Sequence, residues 1–174
     1  MEDRRDNPPD HSPSGDRLLP YARVDLGRAR RKGLPEVIYC PGKTHEQVAG
    51  IVAALAEAGQ SVLATRAGRS TYEAVAERFP EAVFHDTARA ITLDRGPLPA
   101  PRGRVAIVTA GTADLPVAEE ARLTAERMGA AVDLLCDVGV AGLHRVLDEI
   151  DRIRRARVVL IVAGMEGAVR SVVG

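Results

Sequence analysis

Apolar and polar positions change period several times along the 174 residues, and each change marks an element. Residues 1–20, MEDRRDNPPDHSPSGDRLLP, have no apolar period and are rich in Pro, Asp, Arg and Ser. They read as a disordered leader. Asp25 stands where it can cap a short helix from Leu26 to Lys32, and Gly33 ends it. Glu36 to Cys40 reads as a strand, Pro41-Gly42 as a turn, and Thr44 as the cap of a helix from His45 to Ala58. In that helix Val48, Ile51, Val52 and Leu55 recur at helical spacing, and Gly59 stops it. Ser61 to Thr65 is a further strand. Ser70 or Thr71 opens a helix with Tyr72, Val75, Ala76 and Phe79 on one face. Short strands follow at Ala82 to His85 and Ala90 to Leu93. Residues 21–95 thus predict a small α/β domain.

Residues 96–103 hold three Pro and two Gly and read as a linker. Beyond it the period changes again. Val105 to Val108 is a continuous apolar run, the pattern of a parallel strand covered on both faces. Asp114 precedes a helix with Pro116 in its first turn and Val117, Ala118, Ala121, Ala125 and Met128 along it; Gly129 ends it. Val132 to Cys136 is a second strand. The next helix carries Leu143, Val146, Leu147, Ile150 and Ile153 on one stripe. Val158 to Ala163 is a third strand, and Ala168, Val169, Val172 and Val173 resemble the opening turns of another helix. Strand, crossover helix and strand in alternation predict a parallel sheet of the flavodoxin or Rossmann kind. Three strands and two full helices are too few to cover both faces of such a sheet, so the expectation is a three-layer α/β domain over 104–174, cut at Gly174.

Composition narrows the function classes. Basic and acidic residues balance at 24 each, so the cationic excess of a phosphate-tracking nucleic-acid binder is missing. Three Tyr, two Phe and no Trp leave little to stack bases on. Two Cys cannot build a disulfide framework, and neither a signal peptide nor a long apolar run is present. The expectation is a soluble, cytoplasmic protein with reduced thiols, and with no nucleic-acid or membrane partner.

The chemistry is expected at the carboxyl ends of the parallel strands, where open α/β sheets bind ligands. Three glycine-rich loops meet that condition: 109–114, 137–142 and 164–167. Their candidate substrate contacts are Thr109, Gly111, Thr112, Asp137, Gly139, Gly164 and Gly167. The helix start after Asp114 favours a phosphate or carboxylate. Neither GxxxxGK[ST] nor GxGxxG occurs. Asp114 reads equally as a helix cap and as a working carboxylate. Glu166, between Gly164 and Gly167 after a buried strand, has no amphipathic reason for its place and is the sharper catalytic candidate. Cys40 and Cys136 end strands and read as small core residues. His11, His45, His85 and His144 show no metal spacing, so no metal site is expected. The run Arg28, Arg30, Arg31, Lys32 reads as a solvated helix end.

The stretches VAIVTAGTADLPVAEEA, CDVGVAGLHR and VVLIVAGMEGAVRSVVG, with RKGLPEVIYCPGKT and VLATRAG ahead of them, resemble the LarB family. Its members are pyridinium-3,5-biscarboxylic acid mononucleotide synthases of nickel-pincer nucleotide synthesis. They are related to the PurE-type aminoimidazole ribonucleotide carboxylases. The likeness runs over roughly 21–174. It implies carboxylation of nicotinic acid adenine dinucleotide at pyridinium C5, with phosphoanhydride hydrolysis releasing AMP. Carbon dioxide or bicarbonate is the implied co-substrate, with no tightly bound cofactor. The implied assembly is a homo-oligomer, an octamer in the complete fold. Thr112 and Asp114 match the phosphate and substrate loop of PurE, and Glu166 and Asp114 become the carboxylates for proton handling or orientation.

The PurE loop with its catalytic His and Arg corresponds to 137–140 here, where neither occurs; this argues against purine carboxylation by that mechanism. The family's nucleophilic Cys is expected downstream of Gly174, so this chain alone is expected to be inactive and not to form the octamer cleanly. The alternatives are a PurE-like carboxylase or mutase acting on aminoimidazole ribonucleotide, and an inactive nucleotide-binding module.

Overall fold

The computed structural model describes residues 15–139 and 142–164. Glu166, Gly167 and the apolar stretch after them lie outside the described residues, as do most of the 1–20 leader, His11 and Val140. The chain divides into two compact units: one runs to Val83 and includes Ile91–Arg95, the other takes Phe84–Ala90 and runs on from Gly96.

The first unit opens with an antiparallel hairpin of β1 (Asp16–Leu19) and β2 (Ala22–Asp25), in register Leu19 to Ala22. Asp16–Leu19 is therefore a strand where a disordered leader was expected, and 1–14 lie outside the described residues. Tertiary contacts hold the hairpin, and no local period announces it. Val24 is buried, Arg17 donates to Glu57 at 2.7 Å, and the Tyr21 hydroxyl lies where a Cβ on Gly50 would stand, 2.0 Å away. A bare glycine face on the helix is what lets the hairpin tip settle there.

The helix α1 (Arg28–Lys32) follows, closed by Gly33 at φ +70°. Asp25 does not cap it with a bond to its first helical amides. Its carboxylate accepts the Gly27 N–H at 3.1 Å and pairs with Arg31. The strands β3 (Val37–Tyr39), β4 (Val62–Thr65), β5 (Val83–His85) and β6 (Ala90–Leu93) form a mixed sheet in the order β3-β4-β6-β5. β3 and β4 are parallel, and β4 and β6 antiparallel. β4 is buried at all four residues.

Between them lie α2 (His45–Glu57) and α3 (Arg69–Ala76). Thr44 and Gln47 form a reciprocal capping box at the start of α2, worth about 1 kcal/mol. The stripe Val48, Ile51, Val52 and Leu55 is buried as its spacing predicts, each side chain contributing roughly 1.5–3 kcal/mol. α3 begins at Arg69 behind Gly68, slightly before the expected Ser70 or Thr71.

The second unit contains a parallel sheet of β7 (Arg104–Thr109), β8 (Ala131–Leu135) and β9 (Val158–Val162), in the order β8-β7-β9. β7 is central, and Ala106 to Thr109 are fully buried, as the continuous apolar run requires. A 3-10 turn over Thr112–Asp114 leads into α4 (Leu115–Arg127), which packs on β7 and β8.

The expected single helix from residue 143 is two: α5 (Leu143–Asp148) and α6 (Ile150–Arg154). Glu149 lies at φ −98°, ψ 0°, and the bonds there tighten to three-residue steps, Glu149 N–H to Val146 O and Arg152 N–H to Glu149 O. Val146 and Ile153 still reach one cluster with Val108, Leu135 and Val138, against which Val159 and Ile161 pack. The β7-to-β8 and β8-to-β9 crossovers run in opposite directions, so right-handed connections place α4 and α5–α6 on opposite faces. β9 departs from the fully buried strand expected: Val158 and Leu160, on the face away from Val159 and Ile161, are 51% and 39% exposed.

Candidate functional site

The carboxyl ends of β7, β8 and β9 meet at one edge of the parallel sheet, and their loops are stitched together there by named contacts. Thr109, the last residue of β7, is fully buried. Its hydroxyl accepts the Asp137 N–H at 3.2 Å and its carbonyl accepts the Val138 N–H at 2.8 Å. Its side chain therefore positions the β8 loop from within, where the sequence reading made it a direct substrate contact. Ala110 N–H donates to Val162 O at 3.3 Å, tying the β7 loop to the end of β9. Gly139 lies so close to the β7 loop that a Cβ there would be 2.8 Å from the Ala110 carbonyl oxygen. The glycine is required by that approach.

Asp114 makes the longest of these ties. One carboxylate oxygen accepts the Gly111 N–H at 3.0 Å, and the other accepts the Gly164 N–H at 3.1 Å, fifty residues away. It makes no side-chain capping bond to α4. The cap expected from its place before Pro116 is replaced by a bridge between the β7 and β9 loops. Gly111 and Gly164 are thus brought together by one carboxylate. Thr112 is exposed beside them.

Asp137 takes a left-handed backbone at φ +58°, uncommon outside glycine but most tolerated by Asn and Asp. Arg145, in the first turns of α5, donates from Nη1 to Asp137 Oδ2 at 2.5 Å and to its carbonyl oxygen at 3.4 Å. The residues 137–139 contain no Arg of their own, yet a guanidinium reaches this loop from the following helix. Sequence reasoning passed over Arg145. The available signal was an arginine eight positions after Asp137, with Gly139 and Gly142 between, which lets the chain fold back.

The thiols differ in setting. Cys40 is buried at the end of β3, and burial pushes its thiol up to about 11 despite the nearby Lys43 ammonium. It is therefore protonated and unreactive near neutral pH. Cys136 is exposed after β8. His45 pairs with the Thr71 hydroxyl at 2.9 Å, and His144 is exposed on α5. Among the described residues, no group of three or more His, Cys, Asp or Glu is arranged to hold a metal ion. No helix there is long and apolar enough to cross a membrane.

Comparison with known proteins bears on both units. Residues 17–95 are similar to a LarB/PurE-like N-terminal domain, whose family model they match. The family resemblance read from the sequence holds over that stretch, and the α/β architecture of both units agrees with it. The chain is also 33% identical over 161 residues to an uncharacterized protein of Methanocaldococcus jannaschii. That alignment covers 87% of this chain and 62% of the relative, so the chain spans less than two thirds of the relative it matches. The likeness to that relative extends well past that stretch into the unit that carries the three loops.

Proposed function

We propose that this chain is part of an enzyme that carboxylates a pyridine nucleotide, with nicotinic acid adenine dinucleotide and carbon dioxide as substrates and the 3,5-biscarboxylated mononucleotide and AMP as products. The observation that carries the reading is the pairing of a LarB/PurE-like stretch at 17–95 with glycine-rich loops tied together at the carboxyl edge of a parallel sheet. The likeness of residues 17–95 to a LarB/PurE-like N-terminal domain supports a carboxylase-related reading. The particular substrate and the hydrolytic step are our proposal.

The chemistry asks for three things. A pyridinium ring is electron-poor, so a nucleophile must first add beside C5 to leave an enamine. C5 then attacks carbon dioxide and forms the new C–C bond. A base takes the C5 proton, and the electron pair restores aromaticity as the nucleophile leaves. Water separately cleaves the phosphoanhydride to release AMP. Cys40 does not serve as the nucleophile, since its thiol is buried and protonated. Glu166 is our candidate for the base, two residues past the Gly164 that Asp114 anchors. Asp114, with both oxygens engaged, orients the loops instead of moving protons. The assembly we propose is a homo-oligomer, and light scattering measures it.

The alternative substrate is aminoimidazole ribonucleotide. The absence of a His from 137–139 speaks against the purine-type mechanism. Calorimetric titration of the chain with each compound decides between them. Saturable binding of the dinucleotide with none of the ribonucleotide is expected; tighter binding of the ribonucleotide overturns the proposal.

A further inference from the structure

The first unit carries a carboxyl edge of its own, and the proposed reaction makes no use of it. β3 and β4 are parallel neighbours, and each runs through a short loop into a helix, 40–44 into α2 and 66–68 into α3. Open α/β sheets bind ligands beyond such strand ends. Two contacts hold the loops side by side. The Cys40 N–H donates to the Thr65 carbonyl oxygen at 3.1 Å, which carries the strand pairing into the loops. His45 Nδ1 and Thr71 Oγ1 are 2.9 Å apart, which joins the first turn of α2 to that of α3.

The charge here is one-sided. The stretches CPGKT (40–44) and TRAGRST (65–71) hold Lys43, Arg66 and Arg69 and no acidic residue, in a chain whose charges balance. All three cations are exposed. Lys43 and Arg66 converge on Tyr39, the last residue of β3. Lys43 Nζ donates to its carbonyl oxygen at 2.7 Å, and the Arg66 guanidinium lies over its ring, 5.9 Å from the centroid. Lys43 thus rests on a neutral oxygen, where Arg17, Arg78 and Arg95 of the same unit close on glutamates. Its ammonium has further donors to give. Arg69 opens α3. That helix start is uncapped: Gly68 has no side chain to offer, and the first turn holds no acidic residue. α2 differs, because Thr44 caps it and Glu46 folds onto its own backbone N–H, which holds that carboxyl below its ordinary range. The first-turn amides of α3 are therefore the ones a ligand can use.

We propose that the carboxyl edge of β3 and β4 is a second anion site, one that takes a phosphate group, with Lys43, Arg66 and Arg69 as its cations and the first-turn amides of α3 as further donors. Separate cations with a row of amides suit a tetrahedral phosphate, whereas a planar carboxylate is matched by a single guanidinium fork. Tyr39, 53% exposed beside two of the cations, gives a nucleoside phosphate a ring for its base to stack on. The phosphate arrives either free or on a nucleotide, and the anion chemistry of the site is the same for both. The site stands independently of the carboxylation proposed above.

The test is NMR titration of the isotope-labelled chain at constant ionic strength with inorganic phosphate, adenosine monophosphate, adenosine and, as the salt control, chloride. Phosphate should move the amides of 43–44 and 66–71 saturably; chloride and adenosine should not. Lys43→Gln and Arg69→Gln should each weaken phosphate binding by about tenfold. Both side chains are exposed, so the variants are expected to fold, and circular dichroism checks it. Adenosine monophosphate binding several-fold tighter than phosphate, with the gain lost in Tyr39→Leu, assigns the site to a nucleotide; equal affinity assigns it to free phosphate. No saturable shift, shifts that chloride reproduces, or a phosphate affinity unchanged in both charge variants would overturn the inference.

Discussion

Replacing Asp114 with Asn separates a structural carboxylate from a chemical one. Asn keeps the shape of Asp but offers one acceptor oxygen in place of two, and its amide nitrogen can only donate. Asp114 now accepts the Gly111 N–H at 3.0 Å and the Gly164 N–H at 3.1 Å, one on each oxygen. Only one of those amides can be satisfied in the variant, while the other faces an N–H donor. Hydrogen bonds to a charged acceptor contribute about 1.5–3 kcal/mol when buried. Asp114 is only partly buried, so water compensates in part and the expected loss is about 1–2 kcal/mol.

The short-range bond to Gly111 closes a turn already held by Asp114 N–H to Gly111 O. The tie to Gly164 spans fifty residues and is the one expected to open. Amide hydrogen exchange reads this directly. In Asp114→Asn the Gly164 amide should exchange at least several-fold faster, with Ile107 and Val108 in the center of β7 unchanged. Thermal unfolding should move down by a few degrees. Unchanged protection at Gly164 together with unchanged stability would refute the bridge.

Gly139→Ala should cost about 1–3 kcal/mol and weaken nucleotide binding, because its Cβ would press on the Ala110 carbonyl at 2.8 Å; chemical denaturation and titration measure the two effects. Gly50→Ala should leave α2 intact but speed amide exchange in β1 and β2, since the new methyl would displace the Tyr21 hydroxyl; unchanged hairpin exchange would show that Tyr21 does not hold the tip. Iodoacetamide at pH 8 should label Cys136 and spare Cys40 in the folded chain, as mass spectrometry of the peptides reports. The raised thiol of Cys40 also sets a sign for stability. The folded state holds that proton more tightly than the unfolded state, so this contribution is complete below about pH 9 and is lost as pH rises toward about 11. Cys40→Ser should flatten that part of the stability profile measured by urea unfolding.

The elements with strong local signals were legible in the sequence. α2 announced itself by the Thr44 cap, the stripe from Val48 to Leu55 and the stop at Gly59, and β7 by four apolar residues in a row. What escaped depends on partners far away in the chain. The β1–β2 hairpin is four residues a strand, too short for a clear alternation, and it stands on Glu57 and Gly50 of α2. The break at Glu149 is a change of hydrogen-bond step that leaves the apolar stripe in phase, so Val146 and Ile153 suggested one helix. In the candidate site the loops were found from strand ends and glycines. Side-chain roles were not: Asp114 bonds a residue fifty positions on, and the Thr109 hydroxyl turns inward to the Asp137 amide. No spacing rule encodes either contact.

The measurement that bears most directly on the account is hydrogen exchange of the chain with and without saturating nicotinic acid adenine dinucleotide, read peptide by peptide. The account predicts slowed exchange in 109–114 and 137–139 and at Gly164, the loops joined by Thr109, Gly139 and Asp114, with the amino-edge segments 102–105 and 155–158 unaffected. Protection confined to the amino edge, or none at a dinucleotide concentration that saturates binding, would contradict it.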